Sequence, residues 1–392
     1  MLPSRLSNEL EASAVDLIRE SAALGSTLTP RARVEVVELL RVINSYYSNL
    51  IEGHGTRPID IERALRGDYS KEPAKRIRQL ESRAHIEVQR KLEARLAADP
   101  ELDLCAPALL CWLHEQFYEE MPEELRLVQH EGVEARVVPG QLRTSNVKVG
   151  RHLAPLHEHV GAFLSRFHDA YGARQMSPMK QIISVAASHH RLAWIHPFLD
   201  GNGRVTRLFT HAYLKRIRLD GHGLWAASRG LARKRDEYFR FLQAADEPRR
   251  GDLDGCGNLA DAGLAEFCSF FMETCLDQIR YMRELLDLER LEERVLGYAE
   301  LASARRELPK QAAYLLRDVL LRGEVPRGEA PRITGSAERS ARAVVAALVD
   351  RGLLKSDSPK GPVRLGFPSH VVPYYFPRLY PASLEDEMRH ER

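Results

Sequence analysis

The sequence predicts a mainly α fold of two or three domains, and three observations carry the prediction. Apolar residues recur at spacings of three and four through most of the chain, as in helices that bury one face. Strand-like alternation is confined to two short stretches, about 130–160 and 352–367. The chain has 392 residues, 44% of them hydrophobic, which is more than one core of ordinary size takes up.

Residues 9–24 and 31–52 read as helices. In the second, Val34, Val37, Leu40, Val42, Ile43, Tyr47, Leu50 and Ile51 keep the helical spacing. Thr29-Pro30 supplies an N-cap and a first-turn proline, and Gly53-His54-Gly55 closes the helix. Helices are expected over 58–66 and 71–99, the latter rich in good helix formers and stopped by Pro100. Another covers 106–121, with Leu109, Leu110, Leu113, Phe117 and Tyr118 on one side. From about 130 to 160, Gly, Pro and β-branched residues predict a short hairpin or flap. Helices resume over 157–172, 178–194, 204–218, 231–245 and 260–286, with a polar loop at 246–258. The last of these runs on as a charged connector near 287–297. Helices at 309–322 and 336–351 follow, then two short strands about a Pro-Gly turn. The division expected is 1–100 as an N-terminal helical region, 101–286 as a core domain, and 287–392 as a small C-terminal unit with a Pro- and aromatic-rich tail.

Composition excludes several classes. Lys+Arg 57 against Asp+Glu 55 leaves a net charge of +2, which rules out a polybasic nucleic-acid coat or an acidic tail protein. Five cysteines without a CxxC pair argue against a disulfide framework or a zinc ribbon. The first twenty residues hold charges throughout and no apolar core, so no signal peptide is expected. No run of about 18 apolar residues suggests a membrane span. The expectation is a soluble, cytoplasmic protein with no membrane partner.

The chemistry concentrates in His196-Pro197-Phe198-Leu199-Asp200-Gly201-Asn202-Gly203-Arg204-Val205-Thr206-Arg207. Two glycines within three residues let the backbone turn and approach a ligand closely. The loop runs into a helix whose buried stripe is Val205, Leu208, Phe209 and Ala212. Free N–H groups at such a helix start favour an anion. Arg204 and Arg207 share that first turn at i, i+3, and two arginines beside an anion site suggest a polyphosphate. Asp200 is a hard oxygen donor suited to Mg²⁺. His196 is placed to take a proton from a hydroxyl. These are the parts of a phosphoryl or nucleotidyl transferase.

The segment HPFLDGNGRVTR resembles the signature HPFx(D/E)GNGRxxR of the Fic family of AMP transferases. His189 and Ile195 fit the helix that leads into it. Leu192 and Thr206 depart from common family residues without touching the reacting groups. The resemblance implies a Fic-type helical core, with ATP as substrate and Mg²⁺ as its metal. His196 would be the general base, and Asp200 would hold Mg²⁺ on the α- and β-phosphates. Gly201, Asn202 and Gly203 would form the anion hole with Arg204 beside it, and Arg207 would clamp the γ-phosphate. Val205 and Thr206 complete the nucleotide-binding run. Glu237 to Leu242 resembles a Y-[YF]-x-x-L element, leaving Tyr238 either on the nucleoside or in a helical core. The flap, Gly140 to Arg151, stands where the family receives its target segment, and an edge there suits an extended peptide. The partner would be a protein offering a Ser, Thr or Tyr hydroxyl, or the chain itself, and a homodimer stays open. Transfer from another nucleotide donor is the alternative chemistry.

Ser48 and Glu52 lie one helical turn apart, at the end of the helix over 31–52. With Gly53 they resemble the [S/T]xxxE[G/N] inhibitory motif of the same family. By that resemblance Glu52 pairs with Arg207 and occupies the γ-phosphate clamp, a brake carried in cis.

The C-terminal unit looks like a winged helix, with 336–351 as its second helix and 352–367 as its wing. Residues 305–364 hold 13 Lys/Arg and 7 Asp/Glu, a surplus absent from the whole chain. Arg339 and Arg342 fall on the outer face of the proposed recognition helix. DNA binding and protein contact are both open for it, and a DNA-binding regulator with a nucleotide-sensing site is the competing function.

Overall fold

The computed structural model describes residues 2–4, 6–130, 133–172, 176–252, 254–255 and 257–390. Helices form where the sequence gives a start signal and an apolar stripe. Helix α1 (Asn8–Gly25) is followed by α2 (Pro30–Ile51). Thr29 Oγ1 accepts from the Ala32 N–H at 3.3 Å, capping α2. At the other end Gly53, at φ +86°, lets the Gly53 and His54 N–H groups turn back onto Leu50 and Asn49 carbonyls. Proline also opens α3 (Pro58–Leu65), α4 (Pro73–Ala98) and α5 (Pro107–Glu119).

Two hairpins occupy the stretch expected to be non-helical. Strands β1 (Leu127–His130) and β2 (Val133–Arg136) pair antiparallel, Leu127 opposite Arg136. Strands β3 (Lys148–Val149) and β4 (His152–Leu153) make a second, smaller ribbon, with Val149 opposite His152. Then come α6 (Val160–Tyr171), α7 (Pro178–Ile195), α8 (Asn202–Arg216), α9 (Ala227–Arg233), α10 (Arg235–Asp246) and α11 (Asp261–Leu285). The single helix expected over 231–245 is two helices, because Lys234 leaves helical geometry at φ −112°, ψ 37°. The charged connector is likewise not a continuation. Asp287 Oδ1 accepts from the Arg290 N–H at 3.1 Å and starts a new helix, α12 (Leu288–Ala304).

The chain divides into two compact units. One comprises residues 1–22, 44–56 and 63–279, the other 23–43, 57–62 and 280–392. This differs from the linear division 1–100, 101–286 and 287–392, since the first hundred residues are shared out. In the first unit α8 is the inner helix, packed on α4, α5, α7 and α9. Val205, Leu208, Phe209 and Ala212 are its buried stripe, and Phe117, Phe167 and Phe198 complete the core around it. The second unit builds on α12 with α13 (Ala312–Arg322), α14 (Ala330–Thr334) and α15 (Glu338–Asp350). Its ribbon is β5 (Leu354–Lys355) paired with β6 (Arg364–Leu365). The tail adds α16 (Val372–Tyr375) and α17 (Ala382–His390), burying Tyr375, Phe376 and Tyr380. Among the described residues no helix is long and apolar enough to cross a membrane.

Candidate active site

The loop between α7 and α8 is held in one shape by contacts from several directions. His196 caps α7 in a left-handed conformation, φ 50° and ψ 60°, with its N–H on the Leu192 carbonyl at 3.2 Å. Such geometry in a residue with a Cβ costs on the order of 1 kcal/mol or more and persists only where the surroundings fix it. Buried Arg143 does so. Its Nε donates to the His196 carbonyl at 2.8 Å and its Nη1 to that of Ser145 at 2.9 Å, while Nη2 reaches the Pro155 carbonyl. The Arg143 N–H also donates to the Pro197 carbonyl at 3.0 Å. Asn202 closes the loop with its side chain, accepting from the Phe198 N–H and donating to the Phe198 carbonyl, both at 2.8 Å. Phe198 stacks on His114 at 4.1 Å between centroids. Gly201, at φ +78°, lies over Tyr118, where a Cβ would stand 2.8 Å from Cε2.

His196 Nδ1 is 3.3 Å from the Ala193 carbonyl, which only accepts, so the proton belongs on Nδ1 and Nε2 keeps its lone pair. Burial first, and then the neighbouring His152, lower its pKa to about 4, so the imidazole is neutral at physiological pH. Asp200 Oδ2 accepts from Tyr118 Oη at 2.5 Å. Burial opposes ionisation of Asp200, but Arg204 and the Tyr118 hydrogen bond outweigh it, and its carboxyl lies below the usual range.

The two arginines of α8 point to one place and are both occupied. Arg204 is 2.9 Å from Glu81 Oε1 of α4, donates through Nε to Asn49 Oδ1 at 3.2 Å, and lies over the Phe117 ring at 5.0 Å. Arg207 donates from Nε to Ser48 Oγ at 2.9 Å, and from Nη2 to the Ser48 carbonyl at 3.0 Å and to Glu52 Oε1 at 2.5 Å. Its side chain is 3% exposed against 34% for Glu52. Burial would raise the Glu52 pKa, but Arg207 and Arg204 pull it below the ordinary carboxylate value, so the pair is ionic. The Glu52 carboxylate lies against the first turn of α8, where a Cβ on Gly203 would collide with Oε1. It sits where free helix N–H groups and two guanidinium groups favour an anion.

Mg²⁺ fits this donor set in one way only. Among the described residues no three His, Cys, Asp or Glu side chains converge as a metal cage. One ionised carboxylate, Asp200, stands beside the anion site. Mg²⁺ is held by one or two protein carboxylates together with substrate phosphates, which suits a metal arriving with a nucleotide.

The structure thus brings together Ser48, Glu52, His196, Asp200, Gly201, Asn202, Gly203, Arg204 and Arg207. Val205 and Thr206 are buried, and the Val205 N–H donates to the Gly201 carbonyl at 3.0 Å. Tyr238 is buried as well, its Oη 2.8 Å from His189 Nε2 and hydrogen-bonded to Arg207. Asn202 lends the site its backbone, because its side chain is the loop staple. Sequence reading missed Asn49, Glu81, Tyr118, Arg143 and His152. Each is remote in the chain from the residue it contacts, so no local pattern announces the pairing.

On a helical frame the site thus joins a left-handed histidine, a helix N-terminus and two buried arginines paired with carboxylates. Residues 102–214 match the model of the Fic/DOC family. A protein adenylyltransferase Fic from Drosophila mojavensis is 29% identical over 175 residues, covering 41% of this chain and 33% of its own length. That from Culex quinquefasciatus is 33% identical over 114 residues, covering 29% and 21%. The chain therefore spans about a third or less of the curated relatives it matches. A Fic family protein from Desulfovibrio desulfuricans G20 superposes with a TM-score of 0.53 at 18% identity, covering 93% of this chain and 98% of its own. Fic-1 from C. elegans does so at 0.51 and 16%, covering 71% of each chain. At these identities the solved structures speak to the fold alone, which in this chain is mainly helical with a few short strands.

Proposed function

We propose that the protein is an autoinhibited protein adenylyltransferase that moves AMP from Mg-ATP to a Ser, Thr or Tyr hydroxyl of a target protein or of itself. The observation that carries the reading is the conjunction at α8. A histidine whose Nδ1 faces a carbonyl leads into a helix N-terminus, and the Arg207 of that helix is bound by the chain's own Glu52, which supports a base beside an occupied anion site. In the proposed reaction Glu52 withdraws, and the triphosphate lies on the first turn of α8. Gly201, Asn202 and Gly203 donate backbone N–H groups, Arg204 neutralises charge, and Arg207 takes the γ-phosphate. Mg²⁺ held by Asp200 and the phosphates would offset charge on the leaving group. His196 Nε2 takes the hydroxyl proton as the oxygen attacks the α-phosphorus in line. The bond to the bridging oxygen breaks and pyrophosphate leaves. The target segment is assigned to the ribbon β3–β4, where Val149 is 51% and Leu153 70% exposed.

The test is label transfer from α-labelled ATP by wild type, Glu52→Gly and Glu52→Gly/His196→Ala, in buffer and in lysate, with product mass measured. Label of AMP mass on Glu52→Gly reactions, lost with His196, supports the reading. No label from ATP with the same variants transferring from another nucleotide would move the donor. No transfer from any nucleotide would remove the enzyme reading.

A second reading concerns the C-terminal unit alone. Arg339 and Arg342 are exposed on α15, which favours DNA binding by a winged helix. Much of the local basic surplus is engaged in ion pairs, Arg322 with Glu329, Arg364 with Asp357 and Glu35, and Arg351 with Glu307. Affinity for duplex DNA that falls steeply with salt, and falls less steeply in Arg339→Ala/Arg342→Ala, would support it.

A further inference from the structure

The β3–β4 ribbon is anchored at His152. The Nε2 of His152 lies 3.0 Å from the Trp194 carbonyl in the last turn of α7, and its Nδ1 lies 2.9 Å from Asp246 Oδ2 at the end of α10. Asp246 Oδ1 is 3.0 Å from His190 Nε2, which also faces the Leu242 carbonyl at 3.1 Å. His190 Nδ1 in turn accepts from Arg191 Nη1 at 3.1 Å.

Counting donors and acceptors assigns the protons. His190 gives one hydrogen and receives one, so it is the neutral imidazole, and burial holds its pKa down. Asp246 is ionised. Burial opposes this, but the hydrogen bonds from His152 and His190 outweigh it and bring the carboxyl below its usual range. His152 faces an acceptor with each nitrogen, the Trp194 carbonyl and the Asp246 carboxylate, an arrangement that suits a ring donating from both. The ring centre of His152 is 6.1 Å from that of His196.

We propose that His152 is a positioning residue for the transfer reaction: a cation carried on the flap, locked by Asp246 and the Trp194 carbonyl, that ties the flap to the end of α7 and keeps His196 a free base. The inference rests on the reading of His196 as that base. The other charged groups facing His196 are Arg143 and Asp200, and those facing the lock are His190 and Arg191 of α7. Burial is the larger influence on His196 and the His152 charge the next. A unit charge about 6 Å away in a partly desolvated site is worth about one to two pH units.

The test follows His196 directly in the full chain. Histidine Cε1 is labelled with ¹³C, and the His196 signal is identified by its loss in His196→Ala. Wild type, His152→Gln and Asp246→Asn are titrated. The His196 midpoint is expected to rise by about one to two pH units in His152→Gln and by less in Asp246→Asn. Backbone amides of residues 148–153 should exchange with deuterium faster in both. Should His152→Gln not fold, Asp246→Asn carries the same test. A His196 midpoint unmoved in the folded variants overturns the proposal, as does a ribbon whose exchange is unchanged. Neither measurement needs turnover. A shifted midpoint in a protein that transfers nothing refutes the reading of function and keeps the histidine coupling, whereas an unshifted midpoint in an active enzyme does the reverse.

Discussion

Replacing Glu52 by glycine should make the protein more active and less stable at once. The contact removed is the 2.5 Å bond between Arg207 Nη2 and Glu52 Oε1. A fully desolvated charge pair is worth 2–5 kcal/mol or more when one partner is truncated. Glu52 is about one-third exposed, so solvent screening brings the figure to the low end, about 2 kcal/mol. At 1.4 kcal/mol per factor of ten, this is roughly a 30-fold rise in productive Mg-ATP binding and in the initial rate of AMP transfer at subsaturating ATP. Arg207 is left buried with uncharged partners, Ser48 and Tyr238 among them, so the melting temperature should fall by a few degrees. Glu52→Gln keeps the shape and an acceptor oxygen but not the charge, and should fall between the two. Rates come from α-labelled ATP, stability from calorimetry. An unchanged rate in Glu52→Gly, with Mg-ATP still raising its melting temperature, would refute the brake. The site would then bind nucleotide without Glu52 ever having competed for it.

Three further outcomes follow from the same geometry. Ser48→Ala removes the acceptor of Arg207 Nε and leaves Glu52 in place, so transfer should rise by less than in Glu52→Gly, about three- to tenfold, measured in the same assay. Arg143→Ala strips the donors that fix the left-handed His196. In the Glu52→Gly background it should cut transfer by about 100-fold or more while ATP binding by calorimetry changes little. Acid should destabilise the protein early. His85 and His189 are lowered to about 3, and His114 and His196 to about 4, all chiefly by burial. Between those values and the ordinary histidine range near 6.5, the unfolded chain binds protons that the folded chain refuses. Stability is therefore full above about pH 6.5 and declines as pH falls toward 4, read as denaturant midpoints across that window.

What the sequence made legible was contiguous. His196, Asp200, the glycines and both arginines fall within twelve residues, because a loop running into a helix start is a local structure with a local code. The end of α2 was legible for the same reason, Glu52 being one turn from Ser48 and one residue from a terminating glycine. The groups that hold these residues were not. Arg143 acts on His196 from 53 positions away and Glu81 on Arg204 from 123, and an arginine or glutamate in a polar stretch has no pattern that announces such a partner. Tyr238 shows another limit, since an aromatic at helical spacing fits a ligand face and a core equally, and its ring is buried while its hydroxyl meets Arg207. The break at Lys234 has no proline or glycine to mark it. The short tail helices α16 and α17 were missed because residues 372–390 supply prolines and aromatics without the repeating stripe of longer helices.

Under the proposed function, inhibition and stability are one interaction at this site. Arg207 is almost fully buried at the start of α8, and a buried guanidinium without an anion costs several kcal/mol. The site therefore needs a negative group whether or not nucleotide is present, and Glu52 is the resident one. Nucleotide phosphate replaces it and takes over the same stabilising role. Binding and release of Glu52 then form a closed cycle. The free energy that Glu52 contributes to the fold is the free energy it subtracts from productive ATP binding. At equal Mg-ATP, the rise in melting temperature should be larger in Glu52→Gly than in wild type, by about the amount the variant lost without nucleotide. With AMP, which has no γ-phosphate to reach Arg207, the two proteins should gain equally. Equal gains with ATP would mean that Arg207 is not what the two anions share, and would separate the stabilising role of Glu52 from its inhibitory one.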